Sequence, residues 1–267
     1  MTLQAIHPSK TTGQPRTSPA ERAVRVDLAA AYRLIAYFGL DDGIYTHISA
    51  RVPGTEDQFL INPFGMLYRD ITASSLVKID LEGKILDDSP YDVNPAGFTI
   101  HSAVHAARHD AICVLHTHTV AGVAVSSLED GLQPCNQWAL QFHDRVVYHD
   151  YEGIALNLDE RERLVADLGP KAKVMVLRNH GLMTLGNTIS EAVILMLNLE
   201  RACTVQMAIQ ASGQAVHTLS PETCEITAKQ YEGGASKRAA AGTDPNALEW
   251  RALLQRLEPL PATSFRD

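Results

Sequence analysis

The residues of this chain best suited to chemistry are three histidines. His116 and His118 end an apolar run, Ala111-Ile112-Cys113-Val114-Leu115, and His180 stands sixty-two residues beyond His118. In an extended strand, residues i and i+2 point to one face, so both rings of His116-Thr117-His118 can reach one cation. His180 follows a second apolar run, Val174-Met175-Val176-Leu177, in the segment Arg178-Asn179-His180-Gly181. Two strand ends that deliver imidazole to one place make a three-histidine metal site with open coordination positions, as a catalytic centre needs. The competing reading is a set of half-buried strand histidines satisfied by backbone or carboxylate partners, with no metal.

Positioning these rings requires strands held by helices. Ser18-Pro19-Ala20-Glu21 has the form of a helix start, with a serine cap, a first-turn proline and a capping-box glutamate. Apolar residues at helical spacing continue it to Phe38, and Gly39 ends it. Strands are predicted over 45–52, 58–61, 76–80 and 84–86, the last two as a hairpin across Glu82-Gly83. A helix is predicted over 96–108, with His101, His105 and His109 along one stripe, and His105 and His109 turned to solvent. Further strands are expected at 111–118, 146–149, 172–177 and 181–185. Further helices are expected at 120–127, 136–142, 159–168 and 190–211. The tail reads as helical stretches at 222–231 and 245–257 around a small polar linker, 233–242. This alternation argues a single α/β domain over 19–215. A disordered arm, 1–18, precedes it, and a helical extension, 216–267, forms an interface or lid.

Bulk properties narrow the function. The 267 residues carry a net charge of -8 and no run of lysines and arginines, which argues against a nucleic-acid partner. No uninterrupted apolar run approaches the roughly 18 residues needed to span a bilayer, so no membrane partner is expected. The polar N-terminus lacks the apolar core of a secretory signal. Four scattered cysteines, with Cys113 and Cys203 in apolar segments, suit a reducing cytoplasm.

Five motifs in order then give a resemblance. Tyr45-Thr46-His47-Ile48-Ser49, Ile61-Asn62-Pro63-Phe64-Gly65, the helix opening at Asn94-Pro95-Ala96-Gly97 and running to His101, His116-x-His118, and Asn179-His180-Gly181-Leu182 resemble the class II aldolase/adducin family. The likeness extends over about 20–211. It implies a three-layer α/β/α domain with a central, mostly antiparallel sheet, and a homotetramer with sites between subunits. It also implies that His116, His118 and His180 bind a divalent metal ion, with zinc first and iron or manganese also compatible. His47, Asn62 and Gly65 match substrate-side loops, but the bulk of His47 and Phe64 leaves little room for a phosphate. Gly97 stands where the aldolases have an acid/base glutamate. The substitution removes a carboxylate and implies a roomier pocket, as in the adducin-like branch.

The chemistry expected from such a site is lyase-type. Aldol cleavage or decarboxylation of a small, non-phosphorylated oxo or hydroxy acid would pass through a metal-stabilised enolate. His101, one turn beyond Gly97, is the first candidate for the missing acid/base, followed by His143 and Tyr148. Each of these also fits a structural role. Gln137 and Trp138 are candidate substrate contacts, Arg178 and Asn179 candidate carboxylate partners, and Tyr231 a candidate donor across an interface. Two alternatives remain: a non-haem iron oxygenase of an aromatic keto acid, using the space beside Gly97, and a catalytically silent adducin-like interaction domain.

Overall fold

The computed structural model describes residues 17–154, 159–240, 246–258 and 264–267. The disorder expected for the N-terminal arm therefore falls, but for residues 17 and 18, outside the described residues. Seven strands form one sheet: β1 (His47–Arg51), β2 (Gln58–Ile61), β3 (Val77–Asp80), β4 (Cys113–Thr117), β5 (Val146–His149), β6 (Val174–Leu177) and β7 (Gly181–Gly186). Their order is β3-β2-β1-β4-β7-β6-β5. Every neighbouring pair is antiparallel except β5 with β6.

The eight helices are α1 (Pro19–Tyr37), α2 (Pro95–Ala107), α3 (Val120–Ser126), α4 (Gln137–Leu140), α5 (Glu160–Leu168), α6 (Ile189–Ala211), α7 (Pro221–Ala240) and α8 (Ala247–Leu254) among the described residues. Strand alternation sorts the core into two faces. Cys113, Leu115, Val174, Val176 and Leu182 pack with α1 and α6. Val114, Met175, Leu177, Met183 and Leu185 pack with Ile100 and Val104 of α2 and Leu164 and Leu168 of α5. The result is a three-layer α/β/α domain, as expected. Ser18 caps α1 by accepting the Glu21 amide at 3.1 Å.

The same alternation explains where the polar chemistry lies. In β1, Ile48 and Ala50 face the α1/α6 core. His47, Ser49 and Arg51 therefore face α2, and all three are buried there.

Two expectations change. The second strand of the expected hairpin, 84–86, shrinks to one bridge, Ile79 to Ile85, because the Glu82-Gly83 turn is pinned by Asp80, whose Oδ1 accepts the Glu82 and Lys84 amides at 3.0 and 2.8 Å. The linker at 233–242 is helical as far as Ala240, since α7 continues through Gly233 and Gly234. Each glycine costs roughly 1 kcal/mol against alanine in a helix, which tertiary anchoring offsets. The anchor is Arg145, which bonds Glu232 at 2.9 Å and Glu225 at 3.1 Å. Finally, α6 is long and apolar enough to cross a membrane, with a mean hydropathy of 1.4. Its apolar 18-residue window is 56% buried in the domain, and Glu191, Glu200 and Arg201 interrupt the helix's apolar run. It is the central core helix.

One close approach ties the fold to the site. A Cβ on Gly181 would lie 2.2 Å from the Thr117 carbonyl oxygen, a backbone atom that cannot step aside. Gly181→Ala should therefore wedge β7 from β4 and cost about 2–4 kcal/mol in a denaturant titration. An unchanged midpoint would show that the pairing is looser than described.

Candidate metal centre

The three histidines converge. His116 Nε2 lies 2.8 Å from His118 Nε2 and 3.3 Å from His180 Nε2. His116 comes from β4, His118 from just beyond it, and His180 from the tight turn between β6 and β7. That turn needs a left-handed residue, supplied by Asn179 at φ 55°. Outer acceptors orient two of the rings: His116 Nδ1 donates to the Leu182 carbonyl at 2.9 Å, and His118 Nδ1 to Asp42 at 3.0 Å. Those bonds leave a lone pair on each Nε2. Two lone pairs at 2.8 Å repel unless a cation or a proton stands between them. Burial and the neighbouring imidazoles push His116 well below the usual histidine range, and burial and His118 lower His180 to about 4. Protonation is therefore resisted, and the donor set fits a divalent cation.

The centre opens into a cleft of about 410 Å³, lined by Tyr45, His47, Gly97, His101, Tyr151 and Ile154 among others. His47 is presented by Thr46, which adopts φ 64°, an unfavourable conformation for a β-branched residue, costing roughly 1–2 kcal/mol. Burial and a 2.8 Å bond from Thr46 Oγ1 to the Tyr68 hydroxyl hold it there.

The space beside Gly97 is filled. A Cβ at this position would lie 2.3 Å from His47 Nδ1 and 2.4 Å from its Cγ. The expectation of a roomier pocket is thus corrected: the bulky His47 and the absent side chain at Gly97 are one compensated exchange. His101 is buried, its Nδ1 2.7 Å from Ser49 Oγ, with Nε2 unpartnered. His47 Nε2 is likewise unpartnered, and burial lowers its pKa to about 3. His105, expected on a solvated face, is fully buried because the α2 stripe turns toward β1; only His109, beyond the helix, is exposed.

Other candidates stand apart from the cleft within this chain. Asn62 is buried with Oδ1 2.8 Å from the Tyr32 hydroxyl, and Gly65 is exposed nearby. Tyr148 accepts the Leu132 amide at 3.1 Å and is stacked by Arg178, whose other contact is the Leu128 carbonyl at 2.7 Å. His143 meets Asp144 at 3.5 Å. Gln137, Trp138 and Asn179 are exposed. Tyr231 lines a different groove with Arg145 and Glu232.

Sequence reasoning missed three contributors. Asp42, in a loop after α1, orients His118 from 76 residues away. Tyr151 approaches His180, with ring centroids 6.2 Å apart. Glu200 of α6 is buried, its pKa raised by that burial, and binds Thr119 and, at 3.3 Å, Thr117. The double acid Asp41-Asp42 beside a glycine was the available signal for the first; the others had none at sequence level.

Gly97→Ala should cost about 2–3 kcal/mol by displacing His47, and adding His47→Gly should recover much of the loss. Additive losses in denaturant titrations of the two single variants and the double variant would refute the exchange.

Comparison with known proteins places the chain in a family. Residues 26–207 match the profile described as the Class II Aldolase and Adducin N-terminal domain. The chain is 49% identical over 256 residues to a Pseudomonas aeruginosa protein provisionally named as a class 2 aldolase, covering 96% of this chain and 97% of that one. It is 43% identical over 247 residues to mouse alpha-adducin, covering 90% of this chain but 34% of the adducin. A solved structure, the L-fuculose 1-phosphate aldolase of Glaciozyma antarctica PI12, is 28% identical with a TM-score of 0.79, covering 98% of this chain and 97% of that one. The chain belongs to the class II aldolase/adducin family.

Proposed function

We propose that this chain is a divalent-metal-dependent lyase-type enzyme, performing aldol cleavage or decarboxylation on a small oxo or hydroxy acid without phosphate. The observation that carries the reading is the convergence of His116, His118 and His180 nitrogens at an open cleft. His116, His118 and His180 would hold the ion, with zinc first and iron or manganese compatible with imidazole donors. Such an ion supplies polarisation of a substrate carbonyl and a sink for the charge that develops on its oxygen.

The chain's own residues set the rest. His101 Nε2 and His47 Nε2 are the unpartnered polar atoms beside the centre, suited to proton transfer and to substrate contact respectively. No lysine or arginine is among the described lining residues, so a phosphate would find no fixed cation there. The mouth is apolar instead: Tyr45 and Tyr151 are 53% exposed and Ile154 74%. This favours an acid with an apolar portion over a sugar phosphate. Self-association, as a homotetramer, is part of the proposal. It would let Gln137, Trp138, His143 or Tyr231 meet a neighbouring subunit's cleft.

A second reading has its own support. Likeness to alpha-adducin and the absence of a carboxylate at Gly97 favour a silent interaction domain. The oxygenase reading loses the vacant space on which it rested, because His47 fills it.

Elemental analysis of purified protein should find about one divalent ion per chain. His116→Ala/His118→Ala should lose it while the melting temperature stays within about 5 °C, since the core does not run through the site. Anaerobic consumption of a small keto or hydroxy acid, abolished by chelation, is the expected activity. Strict oxygen dependence would move the case to the oxygenase, and metal loss without any change in turnover to the scaffold.

A further inference from the structure

Of the three converging histidines, His118 stands at a junction. His116 sits inside β4, paired with His47 of β1 on one side and Met183 of β7 on the other. His180 is pinned by its turn, where its amide donates to the Leu177 carbonyl at 3.1 Å. His118 has neither support. β4 ends at Thr117, whose pairing with Leu182 is the last rung of the ladder, and Thr119 is already the cap of α3. The His118 ring is held at Nδ1 by Asp42, whose side chain is 50% exposed. A partner that open to water holds a ring weakly.

What backs His118 lies across the sheet. Alternation turns His116 and His118 to the cleft, and Thr117 and Thr119 toward α6. Thr117 is fully buried, its hydroxyl 3.4 Å from Met196 Sδ and 3.3 Å from Glu200 Oε1. Thr119 donates to the same Oε1, and its own Oγ1 accepts the Gly122 amide at 3.1 Å. Met196 and Glu200 are one helical turn apart, so they present one contact surface. A single carboxyl oxygen thus gathers both residues that flank His118, and Thr119 carries the first turn of α3 with it.

Packing alone does not call for this arrangement. Glu200 is 5% exposed on the core helix, and no ion pair to it is found among the described residues. Burying a carboxyl without a counter-charge is costly, and a leucine in its place would add to the apolar layer instead. The geometry points to Glu200 as a positioning residue of the metal centre, which clamps Thr117 and Thr119 from the far side of the sheet and so sets the direction in which the β4–α3 junction presents His118, resting on the metal-binding half of the proposed function and not on its reaction. The clamp works by accepting hydrogen bonds. It therefore needs an oxygen at the Oε1 position, not a charge. Glu200 itself does not reach the cleft.

The test is zinc affinity of the full chain, measured by competition with a chromogenic chelator, with the cobalt(II) absorption spectrum as a report on ligand geometry. Glu200→Leu removes the acceptor at similar size, and should weaken zinc about tenfold or more and shift the cobalt d–d bands. Glu200→Gln keeps an acceptor oxygen, and should stay within about threefold of wild type with wild-type bands. Thr117→Val removes one hydroxyl at nearly constant volume. Its zinc affinity should fall between those two, and it decides the matter even where Glu200→Leu fails to fold. A Glu200→Leu chain that loses thermal stability but keeps wild-type zinc affinity and cobalt bands would make Glu200 a structural staple and overturn the clamp. So would a Glu200→Gln chain as weak as Glu200→Leu, since charge would then be at work, or a Thr117→Val chain with unchanged affinity. A wild-type chain that binds neither zinc nor cobalt would sink the metal centre and the clamp together, whereas equal binding by every variant would sink the clamp alone.

Discussion

Everything in the site depends on forcing like against like. Neutral imidazole nitrogens repel when their lone pairs meet, and no isolated peptide would hold them 2.8 Å apart. The fold does so by fixing each ring from behind. The Leu182 carbonyl belongs to the strand paired with β4, and Asp42 to the loop leaving α1. Burial then suppresses the other remedy, a proton. The protein has thus made itself incomplete at one point, which is what a site selecting a multiply charged cation requires. The stability for this comes from the two apolar faces of the sheet, where strand alternation places the ordinary core.

Two positions in the pocket are coupled. A histidine on β1 and a glycine on α2 share one volume, so the bulk is supplied from the strand side and not from the helix. The strand is the more rigid support, because β1 is hydrogen-bonded on both sides in the middle of the sheet. An imidazole there is short, neutral and unable to swing. His47 makes the space beside Gly97 a fixed wall, and in the proposed reaction proton handling falls to His101, one helical turn further on.

Much of this was legible because it is local. The i, i+2 histidines, the apolar runs before them and the capping box at Ser18 are short-range patterns, and the structure contains them within a few residues of the expected limits. What escaped was non-local. Asp42 and Glu200 reach the site across 76 and 81 residues, and no spacing rule spans that distance. The burial of His105 was misread because a helical stripe of histidines looks polar on its own, and only the facing Ser49 and Arg51 show that it is a packed interior row. Gly97 misled for the same reason. A missing side chain implies a void until the neighbour that fills it is known. The glycine pair in α7 shows local propensity outvoted by a distant arginine.

The apolarity of α6 carries a consequence for how the protein is made. Among the described residues this helix alone has the length and hydropathy of a bilayer segment, yet its destination is the sheet. All seven strands precede it in the chain, ending at Gly186. During synthesis, the surface that will receive the helix has therefore already left the ribosome when the helix emerges. A circular permutation that moved α6 ahead of the strands would keep every native contact. It would also release a greasy segment with nothing yet to shelter it, inviting aggregation or capture by insertion machinery.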